Sequence, residues 1–233
     1  MTDSDLVQIT PKNLPNSTLK IVSALTGLAT ICGLLIAVAV QVSKEPIRKN
    51  QEEGLRRAVL EVIPTADKML VFEEGANGTL QIADAKSNTR KYYAAYNEAG
   101  ELQGVAFRGV GEGYGGKVKI LFGYNHNDES LLGINVIESK ETPGLGDKIA
   151  YDPEFLANFK DMPLASDDNG LLHKIEVVKG SKKEAWQVSA IAGATISSRA
   201  VGTILSNSAD QALPLIKKNL DILKRGEGSN VTK

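Results

Sequence analysis

Cysteine is nearly absent. Cys32 stands alone among 233 residues, which excludes an internal disulfide framework and any cluster ligated by cysteines of this chain. Histidine is almost as scarce: His126 and His173 lie far apart, with no carboxylates at a known ligand spacing, so no metal is expected on this chain alone. Nor is there a surplus of charge of either sign. The 27 Lys and Arg against 28 Asp and Glu leave a net charge of −1, with no basic excess to neutralise phosphates, and nucleic acid is not an expected partner. The length suits one sizeable domain plus accessory segments.

What is abundant is apolar and uncharged sequence near the start. Residues 1–19 are polar and carry Pro11 and Pro15, as a flexible tail would. Residues 21–42 then run without one charged side chain, about the 20 residues needed to cross a bilayer core. The run is longer than a signal-peptide core and ends without an A-x-A-like cleavage site. Bulky Ile31 before Cys32 also argues against a lipoprotein site. A transmembrane helix over 20–43, retained in the lipid bilayer, is therefore expected, with a buried core helix as the alternative. Basic residues favour the far side: Lys44, Arg48, Lys49, Arg56 and Arg57 follow the run, against Lys12 and Lys20 before it. By the positive-inside rule alone the C-terminal part would be cytoplasmic.

After the anchor, 44–64 place Leu55, Val59, Leu60 and Ile63 close to helical spacing and end at Pro64, the pattern of a stalk helix. Residues 65–88 give poor signals apart from a turn at Gly75, Asn77 and Gly78. Four segments rich in β-branched and aromatic residues, 91–96, 102–110, 117–124 and 131–138, predict strands, the last two a hairpin around a solvated His126. Asp152-Pro153-Glu154 predicts a short capped helix. Residues 175–178 and 185–188 predict further strands, with Trp186 in the core or against a ligand. A closing helix is expected over 197–220, kinked near Pro214. The expected architecture is α+β: one N-terminal transmembrane helix, then a mixed, mainly antiparallel sheet domain with flanking helices over 65–220, and a polar tail over 221–233.

Two stretches carry candidate chemistry. Gly109-Val110-Gly111-Glu112-Gly113-Tyr114-Gly115-Gly116 looks like a G-x-G loop, but a strand follows where a dinucleotide site needs a helix. It is either a flexible turn or a loop whose backbone approaches a ligand, with Tyr114 offering an aromatic face. In Ser189-Ala190-Ile191-Ala192-Gly193-Ala194-Thr195-Ile196-Ser197-Ser198, small residues and hydroxyls precede a helix whose apolar positions recur through Val201, Ile204 and Leu205. Two readings stay open: Thr195, Ser197 or Ser198 is an ordinary N-cap, or the helix start, with Gly193 and Ala194 allowing close approach, receives an anion such as phosphate.

The run Gly193-Ala194-Thr195-Ile196-Ser197-Ser198 resembles the flavinylation motif of the FMN-binding family found in the G subunit of the Rnf complex and the C subunit of the sodium-pumping NADH:quinone oxidoreductase. That family usually has Ser or Thr where this chain has Ala192, and often Asp where it has Ser189. A second stretch, Glu141-Thr142-Pro143-Gly144-Leu145-Gly146-Asp147-Lys148, resembles a further signature of the same family, where it lies against the flavin. The two occur in order, about fifty residues apart.

The resemblance implies an electron-transport subunit with FMN held covalently on Thr195 through a phosphoester. It implies cofactor contacts from Gly193, Ala194, Ser198, Tyr114, Glu141, Thr142, Gly144, Leu145, Gly146 and Lys148. No side chain is expected to act as catalytic acid, base or nucleophile in turnover, since the flavin carries the redox chemistry. The resemblance implies attachment by a flavin transferase using FAD, and membership of an ion-translocating ferredoxin:NAD oxidoreductase with other membrane and iron–sulfur subunits. It also implies a single-pass place in the bacterial cytoplasmic membrane with the flavin domain on the outer, periplasmic side, against the charge rule, since long domains translocate largely regardless of charge. The C subunit of the quinone-reducing pump is the alternative, and a flavin-free membrane-anchored scaffold the second.

Overall fold

The structure, a computed structural model, describes residues 16–84, 87 and 89–226. The chain divides between Glu52 and Glu53 into two units. One helix, α1 (Asn16–Val62), runs through both. The expected tail over 1–19 falls mostly outside the described residues, and Asn16 onward is already helical. Its apolar stretch is long and apolar enough to cross a membrane, and its residues are exposed, unlike those of a buried core helix. No break separates the anchor from the expected stalk: α1 passes through Pro46, with Arg48 paired to Glu45 and Glu52 at 2.9 Å on its solvent side. Those exposed i,i+3 and i,i+4 pairs are screened by water and add little to stability.

The second unit is built on an antiparallel seven-stranded sheet in the order β2-β1-β3-β4-β5-β6-β7. Its strands are β1 (Lys68–Glu74), β2 (Leu80–Ile82), β3 (Lys91–Tyr96), β4 (Leu102–Glu112), β5 (Lys117–Asn125), β6 (Ser130–Ser139) and β7 (Met162–Pro163). Between β6 and β7 lies α2 (Pro153–Ala157). After β7 come the short pairs β8 (Ser166–Asp167) with β9 (Gly170–Leu171) and β10 (Glu176–Val178) with β11 (Gln187–Ser189), then α3 (Thr195–Lys218) and α4 (Leu220–Arg225). Only β10 and β11 run parallel.

Central strands are covered on both faces, which is why β3 reads as an aromatic and alanine run rather than a polar alternation. Tyr92, Ala94 and Tyr96 enter the large core beneath α3 with Phe107, Phe122, Leu205 and Leu213. Tyr93 and Ala95 enter a smaller core with Ala106, Leu121, Val59 and Val62 of the last turns of α1, and Ile63 just after it. Glycines set the closest approaches: a Cβ on Gly123 would stand 2.7 Å from the Val62 carbonyl oxygen, and one on Gly109 would strike Ile204 and Ser208 of α3.

The sequence missed β1 and β2, because β2 is a three-residue edge strand and β1, next to it, is half exposed. Asn219, buried between α3 and α4, secures that edge. Its Oδ1 accepts from the Leu80 N–H at 3.0 Å, and its Nδ2 donates to the carbonyls of Gly78 and Leu215 at 3.0 and 2.9 Å. Asn219→Ala leaves these groups unpaired and is expected to cost about 1–3 kcal/mol, read as a lowered thermal unfolding midpoint of the full chain.

Other expectations also shift. The closing helix begins at Thr195 and ends at Lys218, not 197–220. The fold continues past Leu220: Leu223 is fully buried and its carbonyl accepts from the Tyr96 hydroxyl at 2.6 Å, so the polar tail begins later than residue 221. His126 lies in the expected hairpin turn but is half-buried, its Nδ1 enclosed without a hydrogen-bond partner. Burial first, then Lys224, pushes its pKa below the ordinary histidine value. Trp186 stacks on His173, with ring centroids 4.2 Å apart and planes 9° apart, at the margin of the main core.

Candidate flavin site

Thr195 is the first residue of α3. Ala194 occupies the N-cap position with no side-chain cap, so none of the three candidate hydroxyls caps the helix. Ser198 is fully buried and spent locally, its Oγ donating to the Ala194 carbonyl at 2.9 Å and accepting from the Ile191 N–H at 3.1 Å. By helix geometry the N–H groups of Thr195, Ile196 and Ser197 have no carbonyl in a preceding turn. Gly193 precedes them with φ of 81°, a left-handed conformation that glycine adopts without strain. Open space surrounds its Cα, and Thr195 itself is half-buried.

Beside this start lies a cleft of about 520 Å³, bordered by Lys148, Asn158, Ser181, Ser189, Ala190 and Ala192. Asn158 is a residue the sequence analysis missed. Its Oδ1 accepts from the Ser189 N–H at 3.0 Å, while its Nδ2 donates to the Glu154 and Phe155 carbonyls at 3.0 Å. It thereby joins the end of β11 to α2, whose start matches its expectation: Asp152 caps the Phe155 N–H at 2.9 Å, with Pro153 next. A lone Asn after a five-residue helix offers no sequence signal for this role. Ser189 also accepts from the Lys182 N–H at 3.0 Å, closing the basic turn over the cleft edge. A second cleft of about 420 Å³, near Arg90, Arg108 and Gln211, shares no residue with either motif.

The Glu141–Lys148 stretch folds as a tight loop, with the Thr142 carbonyl accepting from the N–H of Leu145 at 3.2 Å and of Asp147 at 3.4 Å. Gly144 takes φ of 76°. Thr142, Gly144 and Leu145 are exposed, Gly146 is buried, and Lys148 is half-buried at the cleft. Tyr151 donates to Asp147 at 3.2 Å; partial desolvation and then that carboxylate push its pKa above the ordinary tyrosine value.

Glu141 gathers the separate stretches. Its carboxylate, buried to 7% exposure, accepts from the Tyr114 N–H at 2.7 Å, the Gly115 N–H at 3.3 Å and the Ser197 hydroxyl at 2.9 Å. Tyr114, Leu145 and Ile196, each at or next to a residue of this cluster, leave large apolar side chains 54–70% exposed. The structure thus brings the Tyr114 loop, the Glu141–Gly146 loop and the Thr195 helix start to one place, with an apolar rim around an uncapped helix end.

Residues 113–210, the span from this glycine loop through most of α3, match the FMN-binding domain family. The G subunit of an ion-translocating oxidoreductase complex from Methanosarcina acetivorans is 28% identical over 82% of this chain and 92% of its own length. The corresponding G subunit of Shewanella piezotolerans is 30% identical over 76% of this chain and 81% of its own length. The chain belongs to the G-subunit family of ion-translocating oxidoreductase complexes. Among solved structures, NqrC of Shewanella oneidensis superposes with a TM-score of 0.59 at 18% identity, covering 73% of this chain and 98% of that one. The C subunit of the Na(+)-translocating NADH-quinone reductase of Parabacteroides distasonis gives 0.58 at 22% identity, with 74% and 96% covered. The G-subunit family therefore shares its fold with these quinone-reductase proteins, while the sequence relatives are G subunits.

Proposed function

We propose that this chain is the membrane-anchored, FMN-bearing electron-transfer subunit of an Rnf-type ferredoxin:NAD oxidoreductase, with the flavin esterified to Thr195. One observation carries the reading: within the FMN-binding match, Thr195 opens a long uncapped helix beside a cleft and next to an apolar rim. The residues fit the group. Unpaired N–H groups and the positive end of the α3 dipole suit a phosphoryl group at Thr195. Open backbone at Gly193 admits it, Lys148 stands at the cleft together with Asp152 and Glu154, and exposed Tyr114, Leu145 and Ile196 offer surface to an aromatic ring.

FMN would supply one- and two-electron redox chemistry; the chain binds, orients and retains it. Attachment needs a flavin transferase. The Thr195 hydroxyl oxygen forms the new bond to the FMN-side phosphorus of FAD, AMP leaves, and the hydroxyl proton is lost. A covalent tether suits a domain on the outer side of the cytoplasmic membrane, where the cofactor could not be replaced. Iron–sulfur and other membrane subunits pass electrons to and from this chain, which is not catalytic alone.

The test is to purify the full chain from its native membrane, denature it and separate it by electrophoresis. Flavin fluorescence travelling with the polypeptide is expected; its absence would favour the flavin-free scaffold. Copurifying ferredoxin-type iron–sulfur subunits are expected, whereas copurifying components of a quinone reductase would move the assignment to that pump.

A further inference from the structure

Two carboxylates of the sheet domain, Glu73 and Glu141, are withdrawn from water, and Glu141 is the one beside the helix start. It is buried, and no Lys, Arg or His forms an ion pair with it among the described residues. A carboxylate withdrawn from water without a counter-ion is costly unless donors replace the lost hydration. Here two backbone N–H groups and one hydroxyl do so. Two glycines are pressed against it: a Cβ on Gly113 would strike Oε1, and a Cβ on Gly146 would strike Oε2 and stand 2.7 Å from the Ser197 oxygen. Three segments distant in sequence, around Gly113, Glu141 to Gly146 and Ser197, therefore converge on one carboxylate.

The direction of the contact with α3 gives it a role. Residues two apart on a helix lie about 200° apart around its axis, so Ser197, 2% exposed, points inward while half-buried Thr195 points the other way. Fixing Ser197 fixes the rotational phase of the first turn, and with it the direction of the Thr195 hydroxyl. We propose that Glu141 is not a flavin contact but a positioning residue: through Ser197 it holds the first turn of α3 in register with the Tyr114 and Leu145 loops, so that Thr195 is presented for modification. This rests on the reading of Thr195 as the flavin acceptor.

The experiment uses the full chain in detergent, free of flavin, with purified flavin transferase and FAD, and follows the initial rate of fluorescence incorporation into the denatured polypeptide. Ser197→Ala is expected to slow incorporation about tenfold, the loss of one hydrogen bond to a charged group. Glu141→Ala is expected to do the same or more, and the double variant no worse than Glu141→Ala, because both remove one connection. Ser197→Thr, which keeps the hydroxyl, is expected to recover most of the rate. A rate for Ser197→Ala within about twofold of the parent, or a fall only in thermal midpoint, overturns the proposal. Hydrogen exchange of the flavin-free chain gives an independent readout should Glu141→Ala fail to fold. Ser197→Ala is expected to speed exchange at the Tyr114 and Gly115 amides, and unchanged exchange there overturns the proposal. A parent chain that takes up no flavin while Ser197→Ala still loosens those amides would defeat the Thr195 reading and leave the Glu141 bracket standing.

Discussion

Thr195→Val should abolish covalent flavin entirely while leaving the fold intact. Valine keeps the β-branched shape and replaces only the hydroxyl, the atom that would form the phosphoester. The position tolerates the change, because Thr195 follows the N-cap and its side chain caps nothing. The stability difference is therefore expected to stay within about 0.5–1 kcal/mol. Thr195→Ser is the matching control: it retains a hydroxyl at the same helix position and is expected to retain flavin, at a lower rate because the side chain is freer to rotate. The measurement is in-gel fluorescence of the denatured chain beside a thermal unfolding curve. Fluorescence surviving in Thr195→Val would show that attachment lies elsewhere.

Phe122→Ala is the largest stability effect expected in the sheet domain. Phe122 is fully buried on β5, beneath α3. It faces Phe107 across the β4–β5 ladder, with ring centroids 5.5 Å apart and planes tilted by 40°. Removing the ring forfeits its burial and leaves a cavity between sheet and helix, for a loss of about 3–5 kcal/mol. Whole domains are stable by only about 5–15 kcal/mol, so the fraction lost is large. A fall of about 10 °C in the unfolding midpoint is expected at this size; a fall under about 2 °C would mean the helix and sheet close over the gap.

The two substitutions probe different layers of information. Strands β3 to β6 were legible because their aromatic and β-branched runs are bounded by Asn, Gly and Asp turns, a signal contained in ten or so consecutive residues. The observed β3 matches its expected 91–96 bounds, and β4, β5 and β6 extend theirs by a residue or two. Strands β1 and β2 were not legible: β2 is a three-residue edge strand with one partner, and β1 beside it keeps much exposed surface, so neither needs strong apolar patterning. The apolar run and the segment expected as a stalk form one helix. Pro46 costs a helix one hydrogen bond and some distortion, but helical residues on both sides carry α1 through it.

At the site, chemistry was legible and connection was not. The hydroxyl at Thr195, Gly193 before it and the Thr142–Gly146 turn are visible as residue types in a row. That Glu141 reaches Tyr114 and Gly115 across 27 and 26 residues and Ser197 across 56 has no local signal. Nor does the hold of Asn158 on Ser189. The sequence by itself determined a membrane-length apolar helix and a strand-rich domain, and set the hydroxyls and small residues of the candidate acceptor in a row, because each depends on neighbours along the chain. Only the tertiary structure decided which hydroxyl is bound inward and which loops meet at Glu141 beneath the start of α3. A buried polar group is satisfied by whatever donors the packed sheet and α3 bring within about 3 Å, hydrogen-bond reach, and that choice is made by packing across the fold.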